Sequence, residues 1–322
     1  MLLIVQIPCL NEEKTLSEVI KEVPRKIKGV ERVEILVVDD GSTDDSAGVA
    51  TASGAEHIVS FPGNRGLARA FDAGIDAALR LGADIIVNID ADGQYKGEDI
   101  PRLVAPIVDG DADLVVGDRG IGSDPDYPLV KKALQVAGSW TVRVVSGTEV
   151  GDASSGFRAY TREAAQRLHL VTDFTYTIES LVQAGSDRLR LASVPVETRR
   201  TDRPSRLFNT IPEYLKKSAV ALARVYSMYE PLRVFSIIGG VIFTTGFGIG
   251  LWFLWYFVTE GGKGHVQILI LAAVLLIIGF QVLVMGLLAD LIGSNRKLIS
   301  DLLFRVKRME GKASQREEPG EK

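Results

Sequence analysis

Two long stretches without a single charged residue constrain this chain more than any other feature. Residues 236–258 read SIIGGVIFTTGFGIGLWFLWYFV, and residues 266–289 read VQILILAAVLLIIGFQVLVMGLLA. Each stretch reaches the roughly 20 apolar residues that a helix needs to cross a bilayer. Two buried core helices are the alternative, but helices of that length usually keep a polar face. The sequence therefore predicts two transmembrane helices, at about 236–258 and 266–289.

The connection between the two spans is short, so their outer ends face the same side of the membrane. It reads TEGGKGH, residues 259–265, while Arg233 precedes the first span and several basic residues follow the second. Because basic residues concentrate on the cytoplasmic side, we expect a two-span cell-membrane protein whose large N-terminal part is cytoplasmic. Gly246, Gly248 and Gly250 suggest a close-packing face, which leaves a homo-oligomer open.

The first 230 residues alternate short apolar runs with helical patterns. Apolar runs at 2–8, 33–38, 57–61, 84–90 and 112–117 predict strands, and a capping box at Thr15 and Glu18 predicts the start of a helix. Such alternation with short connections predicts an α/β fold with a mostly parallel sheet flanked by helices. Ligands bind beyond the carboxyl ends of strands in these sheets. Polar side chains cluster there, at Asn11, Glu12, Asp39, Asp40, Asn64, Arg65, Asp90 and Asp92.

The acid pair Asp90 and Asp92 poses a chemical question, because two neighbouring carboxylates repel each other. A solvated turn is one interpretation, since Asp and Gly are common in turns. A divalent cation, Mg²⁺ or Mn²⁺, is the other, since it takes oxygen ligands from carboxylates and phosphates alike. The glycine-rich fingerprints of dinucleotide and P-loop sites are absent from the sequence.

A net charge of -4 gives no basic footprint for nucleic acid, and the single Cys9 excludes an internal disulfide.

Five segments in order carry a resemblance to a known family. They read IPCLNEEKTL, ILVVDDGSTDDS, GNRGLARAFDAGIDAA, NIDADGQY and DASSGFRAY. Together they resemble family-2 glycosyltransferases with the GT-A fold, and within these the polyprenyl-phosphate sugar transferases of the dolichol-phosphate mannose synthase group. The resemblance covers about residues 2 to 206 and implies that this part is a GT-A catalytic domain.

The resemblance also implies roles for individual residues. Asp90 and Asp92 would hold a metal on the donor diphosphate, with Gln94 at a further metal-site position. Nucleotide-binding positions are implied at Pro8, Asn11, Glu12, Asp39, Arg65 and Asp90, with Asp39 matching the base- and ribose-binding aspartate. Asp40 and Asp44 are equally well explained as turn-forming residues.

Several arginines lie in the second half of the predicted domain and just after it. Because guanidinium groups bind phosphate bidentately, candidates to hold an acceptor phosphate are Arg119, Arg158, Arg203 and Arg206. The basic segment 197–208 could instead be attracted to anionic lipid, and the two roles can coexist. Residues 207–232 predict amphipathic juxtamembrane helices. The membrane hairpin then covers 233–292, and 293–322 form a cytoplasmic tail with a disordered end at 311–322.

These features predict a metal-dependent, inverting transfer of a monosaccharide from a GDP- or UDP-hexose to a polyprenyl or dolichyl phosphate at the cytoplasmic leaflet. A phosphate monoester is largely ionised at neutral pH and needs no strong base. The alternative is a transferase that extends a glycan or lipid-linked oligosaccharide through a hydroxyl, which needs a carboxylate base. Asp152 is the only carboxylate in the segment GDASSGFRAY, residues 151–160. A non-catalytic membrane scaffold with the same fold is a third hypothesis.

Overall fold

A computed structural model describes residues 1–120, 139, 142–143, 150–168, 170, 176–199, 220, 227, 230–261 and 265–317 of the chain. Two compact units can be separated. One is bounded by Met1–Leu222 together with Asp301–Lys322, and the other by Ala223–Ser300. The predicted juxtamembrane helices at 207–232 lie outside the described residues, apart from positions 220, 227 and 230–232.

The larger unit contains a seven-stranded sheet. In chain order its strands are β1 Leu2–Cys9, β2 Arg32–Asp39, β3 His57–Ser60, β4 Ile85–Asn88, β5 Leu114–Asp118, β6 Arg158–Thr161 and β7 Leu191–Pro195. Their spatial order is β3-β2-β1-β4-β6-β5-β7. The five predicted strands are all present, with ends shifted by one or two residues. β6 and β7 were not predicted.

The helices of this unit connect the strands. They are α1 Leu16–Glu22, α2 Ser46–Ala52, α3 Leu67–Arg80, a 3₁₀ turn at Gly97–Asp99 that leads into α4 Ile100–Val108, α5 Arg162–Arg167 and α6 Tyr176–Ser186. β1 runs parallel to both β2 and β4, β2 runs parallel to β3, and β5 runs parallel to β7. β6 is antiparallel to both β4 and β5, between which it lies. The prediction of a mostly parallel sheet flanked by helices is confirmed.

The strands are continuously apolar because both faces of the sheet are covered. Leu3, Val5 and Ile7 of β1 point into a core shared with α1 and α4. Ile4, which lies between them in sequence, points into a second core shared with α3 and α6. This alternation follows from the two-residue period of a strand, and it fixes the register in which β1 meets β2 and β4.

The predicted capping box at the start of α1 is wrong. Thr15 is the N-cap residue, but it has a helical backbone and its side chain makes no capping hydrogen bond. Its hydroxyl instead donates to the Ala91 carbonyl oxygen at 2.8 Å, across 76 residues of sequence. A tertiary contact has therefore replaced the local capping bond that the spacing suggested.

Two long helices follow, α7 Pro231–Glu260 and α8 Val266–Glu317, and the second unit contains all of α7 and α8 as far as Ser300. Within α8 the apolar part spans Val266–Arg296, and both helices are long and apolar enough to cross a membrane. The prediction of disorder from residue 311 is wrong as far as Glu317, because α8 continues to that residue.

The glycines of the two long helices fall into two groups. Gly239 and Gly246 of α7, and Gly279 and Gly286 of α8, lie where the helices of the hairpin touch, and a Cβ at Gly279 would lie 2.6 Å from the Phe243 nitrogen. Gly248 has no such neighbour within 4 Å. The suggestion that Gly246, Gly248 and Gly250 share one face for oligomerisation is therefore corrected, since Gly246 packs inside the hairpin.

Candidate active site

The carboxyl ends of the parallel strands bring the predicted polar residues to one edge of the sheet. Cys9 at the end of β1 is paired in register with Asp39 at the end of β2, and Asp39 is paired with Ser60 at the end of β3. Gln6 of β1 is paired with Asn88, the last residue of β4. The turns that follow β1, β2 and β4 therefore start from the same edge, as the sequence predicted.

The turn after β1 and the loop after β2 brace one another. Asn11 has a left-handed backbone (φ 54°), and its side-chain oxygen accepts a hydrogen bond from the Thr43 nitrogen at 2.7 Å. The Asn11 nitrogen donates to the Ser42 hydroxyl, and the Glu12 nitrogen donates to the Ser46 hydroxyl, both at 2.9 Å. These contacts fix the turn that follows β1, the strand in which Pro8 is the second-to-last residue. The nucleotide-binding roles of Pro8, Asn11 and Glu12 remain predictions.

The two adjacent acids after β2 have different partners. Asp39 is buried and accepts a hydrogen bond from the Ser42 nitrogen at 2.9 Å. Asp40 is also buried, and it accepts from the nitrogens of Arg65 and Gly66 at 2.7 and 2.9 Å. Asp40 therefore anchors the loop after β3, as a turn-forming residue does.

Arg65 lies exposed on that loop. Its guanidinium lies over the Phe61 ring, 5.0 Å from the centroid. Gly41, with a positive φ of 74°, lies so close to the Gly63 backbone that no side chain fits there. The contact holds the loop after β2 against the loop after β3. The nucleotide-binding role of Arg65 remains a prediction.

The acid pair follows the end of β4. Asp90 and Asp92 are both partly exposed, and the Asp92 Oδ1 accepts a hydrogen bond from the Gln94 nitrogen at 2.9 Å. Burial and then the charge of Asp92 raise the pKa of Asp90 to about 7, while Arg119 and Arg158 act in the opposite direction. Burial and the neighbouring charge both disfavour the ionised Asp90 carboxylate, and a nearby cation would lower the free energy of that ionised form.

A network of buried polar groups that the sequence analysis missed holds the Gly156 backbone next to Asp90. A Cβ at Gly156 would lie 2.7 Å from both the Asp90 Oδ2 and the Tyr176 hydroxyl, so only glycine fits. The Asn88 side chain donates to the Gly156 carbonyl oxygen at 2.7 Å and accepts from Gln6 at 2.9 Å. The sequence did contain a signal for this network. The apolar runs of β1 and β4 each carry one polar residue, Gln6 and Asn88, and a buried polar side chain needs a hydrogen-bond partner.

Arg119 and Asp152 form a buried ion pair. The Arg119 Nε lies 2.6 Å from one Asp152 oxygen and its Nη2 lies 3.0 Å from the other, while Nη2 also donates to the Ser154 hydroxyl. Burial by itself would raise the pKa of Asp152, but the hydrogen bonds and charge of Arg119 outweigh burial and hold that pKa below its usual value. Asp152 is thus an ionised partner of Arg119.

The position of Arg158 corrects the expectation that it holds an acceptor phosphate. This residue opens β6 and is fully buried. Its guanidinium donates to the carbonyl oxygens of Ala153, Ser155 and Thr177 and to the Ser180 hydroxyl, at 2.6 to 2.9 Å. A side chain with four protein acceptors serves the structure of the 153–158 segment. Arg203 and Arg206 lie outside the described residues.

The site fits a divalent cation through its donor set. In the described parts of the chain, no three His, Cys, Asp or Glu side chains lie close enough together to hold a metal by themselves. Asp90 and Asp92 offer two carboxylates, and magnesium is commonly held by one or two carboxylates together with substrate phosphates and water. The pair therefore suits a cation that binds with a phosphate-bearing ligand.

The sheet of this chain has the GT-A fold of glycosyltransferases, as the comparison with a solved structure shows. A solved structure with the same fold is glucosyl-3-phosphoglycerate synthase from Mycobacterium tuberculosis in complex with Mn²⁺ and UDP-glucose. The two chains superpose with a TM-score of 0.54 and 27% sequence identity, over 70% of this chain and 78% of the other.

Residues 4–168 match the family model described as Glycosyl transferase family 2, and residues 230–294 match the GtrB C-terminal hairpin. The chain belongs to glycosyl transferase family 2. The second match covers α7 and the apolar part of α8, which indicates membrane anchoring.

Two relatives are similar over most of their own length. Polyprenol monophosphomannose synthase from Mycolicibacterium smegmatis is 29% identical over 60% of this chain and 76% of the relative. UDP-N-acetylglucosamine--dolichyl-phosphate N-acetylglucosaminyltransferase from Methanococcus voltae is 29% identical over 61% of this chain and 85% of the relative.

Proposed function

We propose that this protein transfers a monosaccharide from a nucleotide-sugar to a polyprenyl phosphate at the cytoplasmic face of a membrane. The names of both relatives describe sugar transfer to a polyprenyl or dolichyl phosphate. The apolar hairpin supports the same acceptor, because a lipid-borne phosphate must be met at the bilayer surface. A water-soluble acceptor would give the hairpin no comparable use.

The observation that carries this proposal is the ion pair between Asp152 and Arg119. A sugar hydroxyl needs a general base within hydrogen-bond reach to remove its proton. Asp152 was the carboxylate considered for that task, and both of its oxygens are bound to Arg119. A phosphate monoester is largely ionised at neutral pH, since its second pKa is about 6. A phosphate acceptor therefore fits a site in which Asp152 is already paired.

On the donor side, Asp90 and Asp92 would hold Mg²⁺ or Mn²⁺, with Gln94 as a further candidate. The bound cation would neutralise charge on the departing diphosphate. Asp39 and the braced turns at Pro8, Asn11 and Glu12 would hold the nucleoside, and Arg65 would orient the donor from the adjacent loop. The complex of glucosyl-3-phosphoglycerate synthase with Mn²⁺ and UDP-glucose supports a divalent cation in this fold.

On the acceptor side, Asp152 and Ser154 orient Arg119, whose guanidinium is a candidate contact for the acceptor phosphate, together with Arg203 and Arg206. A phosphate oxygen forms the new bond to the anomeric carbon while the bond from that carbon to the diphosphate oxygen breaks. The nucleoside diphosphate leaves with the electron pair, and the configuration inverts. Positioning and charge neutralisation supply the rate.

The proposed organisation follows from these roles. A catalytic domain covers residues 1–206, juxtamembrane helices cover 207–232, the hairpin covers 233–292 and a cytoplasmic tail covers 293–322. Arg233, Arg296 and Arg305 flank the apolar parts of α7 and α8 at their outer ends. Their positive charge favours the cytoplasmic side for these ends.

The test is a transfer assay with the full chain in detergent or nanodiscs. UDP- and GDP-hexoses are each offered with a short polyprenyl phosphate, and the lipid product is analysed by mass. We expect a lipid carrying a single sugar, and loss of product with EDTA that added Mn²⁺ or Mg²⁺ restores. Asp92→Asn should lower turnover on the order of 100-fold or more, whereas the exposed Asp111→Asn should match the wild type.

The competing function, extension of a glycan through a hydroxyl, gives a different product. It requires a lipid that already carries a sugar, and it yields products with two or more sugars. Formation of such products from a lipid-linked saccharide, with none from polyprenyl phosphate alone, would contradict the proposal.

A further inference from the structure

Residues 196–199, here called the strap, lie against the loop that follows the acid pair. Thr198 forms an antiparallel bridge with Tyr95, and the Arg199 nitrogen donates to the Gln94 carbonyl oxygen at 2.8 Å. The Glu197 nitrogen donates to the Asp99 carboxylate, also at 2.8 Å. The strap thus holds a loop that lies about a hundred residues earlier in the sequence.

The Arg199 side chain anchors the strap to α1. Its guanidinium binds both oxygens of Glu22, with contacts of 2.5 and 3.1 Å, and lies 3.6 Å from Glu18. Glu22 also accepts a hydrogen bond from the Gly97 nitrogen at 3.3 Å. Gly97 has no room for a side chain, because a Cβ would lie 2.7 Å from the Glu22 backbone. Strap, loop and helix therefore meet at Glu22.

A short path of hydrogen bonds leads from Arg199 to the acid pair. The carbonyl oxygen of Gln94 accepts from the Arg199 nitrogen, and the nitrogen of the same Gln94 donates to the Asp92 Oδ1 at 2.9 Å. Gln94 is thus held from both sides, by the strap on one and by the carboxylate on the other. A shift of the strap would be passed to Asp92 through this single residue.

We infer that Arg199 is a positioning residue for the cation site, which acts through Gln94 to hold the Asp92 carboxylate in place. This inference rests on the proposed function, since it assigns a role toward the cation that Asp90 and Asp92 would bind. Residues that orient metal ligands typically change metal affinity 10- to 100-fold when they are mutated.

A purely stabilising role for Arg199 would give a different result. The Arg199 and Glu22 side chains are 37% and 18% exposed, and ion pairs near the surface contribute little to the free energy of unfolding. Loss of the pair should therefore leave the melting temperature almost unchanged while it weakens cation binding.

The experiment measures Mn²⁺ binding to the full chain in detergent by electron paramagnetic resonance, with saturating UDP or GDP present. We expect Arg199→Ala to weaken binding about 10-fold, Arg199→Lys to weaken it less, and Glu22→Gln, which keeps the side-chain shape, to resemble Arg199→Ala. In the transfer assay the KM for Mn²⁺ should rise while the KM for the lipid acceptor stays the same.

The matched control is Arg190→Ala. Arg190 forms the same kind of two-pronged contact with Asp113, at the start of β5 and β7, and is 58% exposed. That variant should bind Mn²⁺ like the wild type.

The possible failures differ in what they overturn. Wild-type affinity in both Arg199→Ala and Glu22→Gln would overturn the inference alone. Equal weakening by Arg190→Ala would also overturn it, because the effect would then be general. If the wild type itself bound no Mn²⁺ with either nucleotide, the proposed cation site would fall, and the inference with it.

Discussion

The aspartates of the candidate site show how one residue type can take several tasks. Asp40 holds the backbone of a neighbouring loop, Asp152 pairs with Arg119, and Asp90 and Asp92 lie close enough together to repel each other. Their partners decide these tasks. A carboxylate with protein donors on both oxygens serves the structure, whereas two carboxylates whose charges disfavour each other favour a cation.

The Asp152–Arg119 pair makes stability depend on pH. Arg119 lowers the pKa of Asp152 in the folded state despite the opposing effect of burial, whereas an unfolded Asp has a pKa of about 3.9. Its contribution is therefore fully present above about pH 4 and is lost as the pH falls through the lower, folded-state pKa.

We therefore expect Asp152→Asn to lower the free energy of unfolding by about 3 kcal/mol at pH 7, because one member of a buried pair is removed. The difference from the wild type should shrink below about pH 4, where the wild-type carboxylate also becomes neutral. Denaturant unfolding of both proteins between pH 7 and pH 3 measures this. Asp111→Asn serves as the control, and a difference that is independent of pH would show that Asp152 acts through its shape.

At the scale of elements, the hairpin shows how two apolar helices recognise each other without the hydrophobic effect. Lipid is as apolar as leucine, so close van der Waals contact between small residues must hold such helices together. Gly239 and Gly246 on α7 are seven residues apart, as are Gly279 and Gly286 on α8, and all four lie at the contact between the helices. Seven residues are two helical turns, so each pair lies on one face.

This arrangement predicts different outcomes for two similar substitutions. In Gly279→Ala the new methyl group would meet the Phe243 backbone, so we expect a loss of about 1–3 kcal/mol from overpacking. In Gly248→Ala the methyl group would meet nothing within 4 Å, and stability should not fall. Thermal unfolding of the full chain in detergent compares them, and equal destabilisation by the two variants would refute the assigned helix contact.

At the scale of the whole molecule, two matching segments of one chain combine an α/β transferase with an apolar hairpin. The hairpin has an even number of candidate spans, so the catalytic domain and the tail lie on the same side of any membrane that the hairpin crosses. The proposed cytoplasmic orientation depends on the basic residues near the outer ends of the spans.

Single-cysteine labelling tests this orientation. Cys9, the chain's only cysteine, is buried and is first replaced by serine. In right-side-out vesicles, a membrane-impermeant maleimide should label Glu260→Cys, at the end of α7 next to the hairpin connection. It should label Met309→Cys only after the vesicles are opened. The reverse pattern would place the catalytic domain on the outer face.

Much of the site could be predicted because it follows local rules. Apolar runs ending in polar residues placed Asp39, Asp90 and Asp92 at the carboxyl edge of a parallel sheet, and strand direction alone brings those ends together. Arg158 could not be placed in the same way, because its role depends on carbonyl groups supplied by residues 153–155 and 177. The capping bond predicted for Thr15 failed for the same reason, because the Thr15 hydroxyl binds the carbonyl oxygen of Ala91, 76 residues away in the sequence.

The sequence by itself determined the α/β class, the edge of the sheet that carries the acids and the two candidate spans, because hydrophobic periodicity and span length are local properties. Only the tertiary structure decided which charged groups are paired. It joined Asp152 to Arg119, buried Arg158 and connected Arg199 to Asp92 through Gln94. Ion pairs and hydrogen bonds act over a few ångströms between residues far apart in the chain, so their partners are fixed only when the folded sheet brings them together.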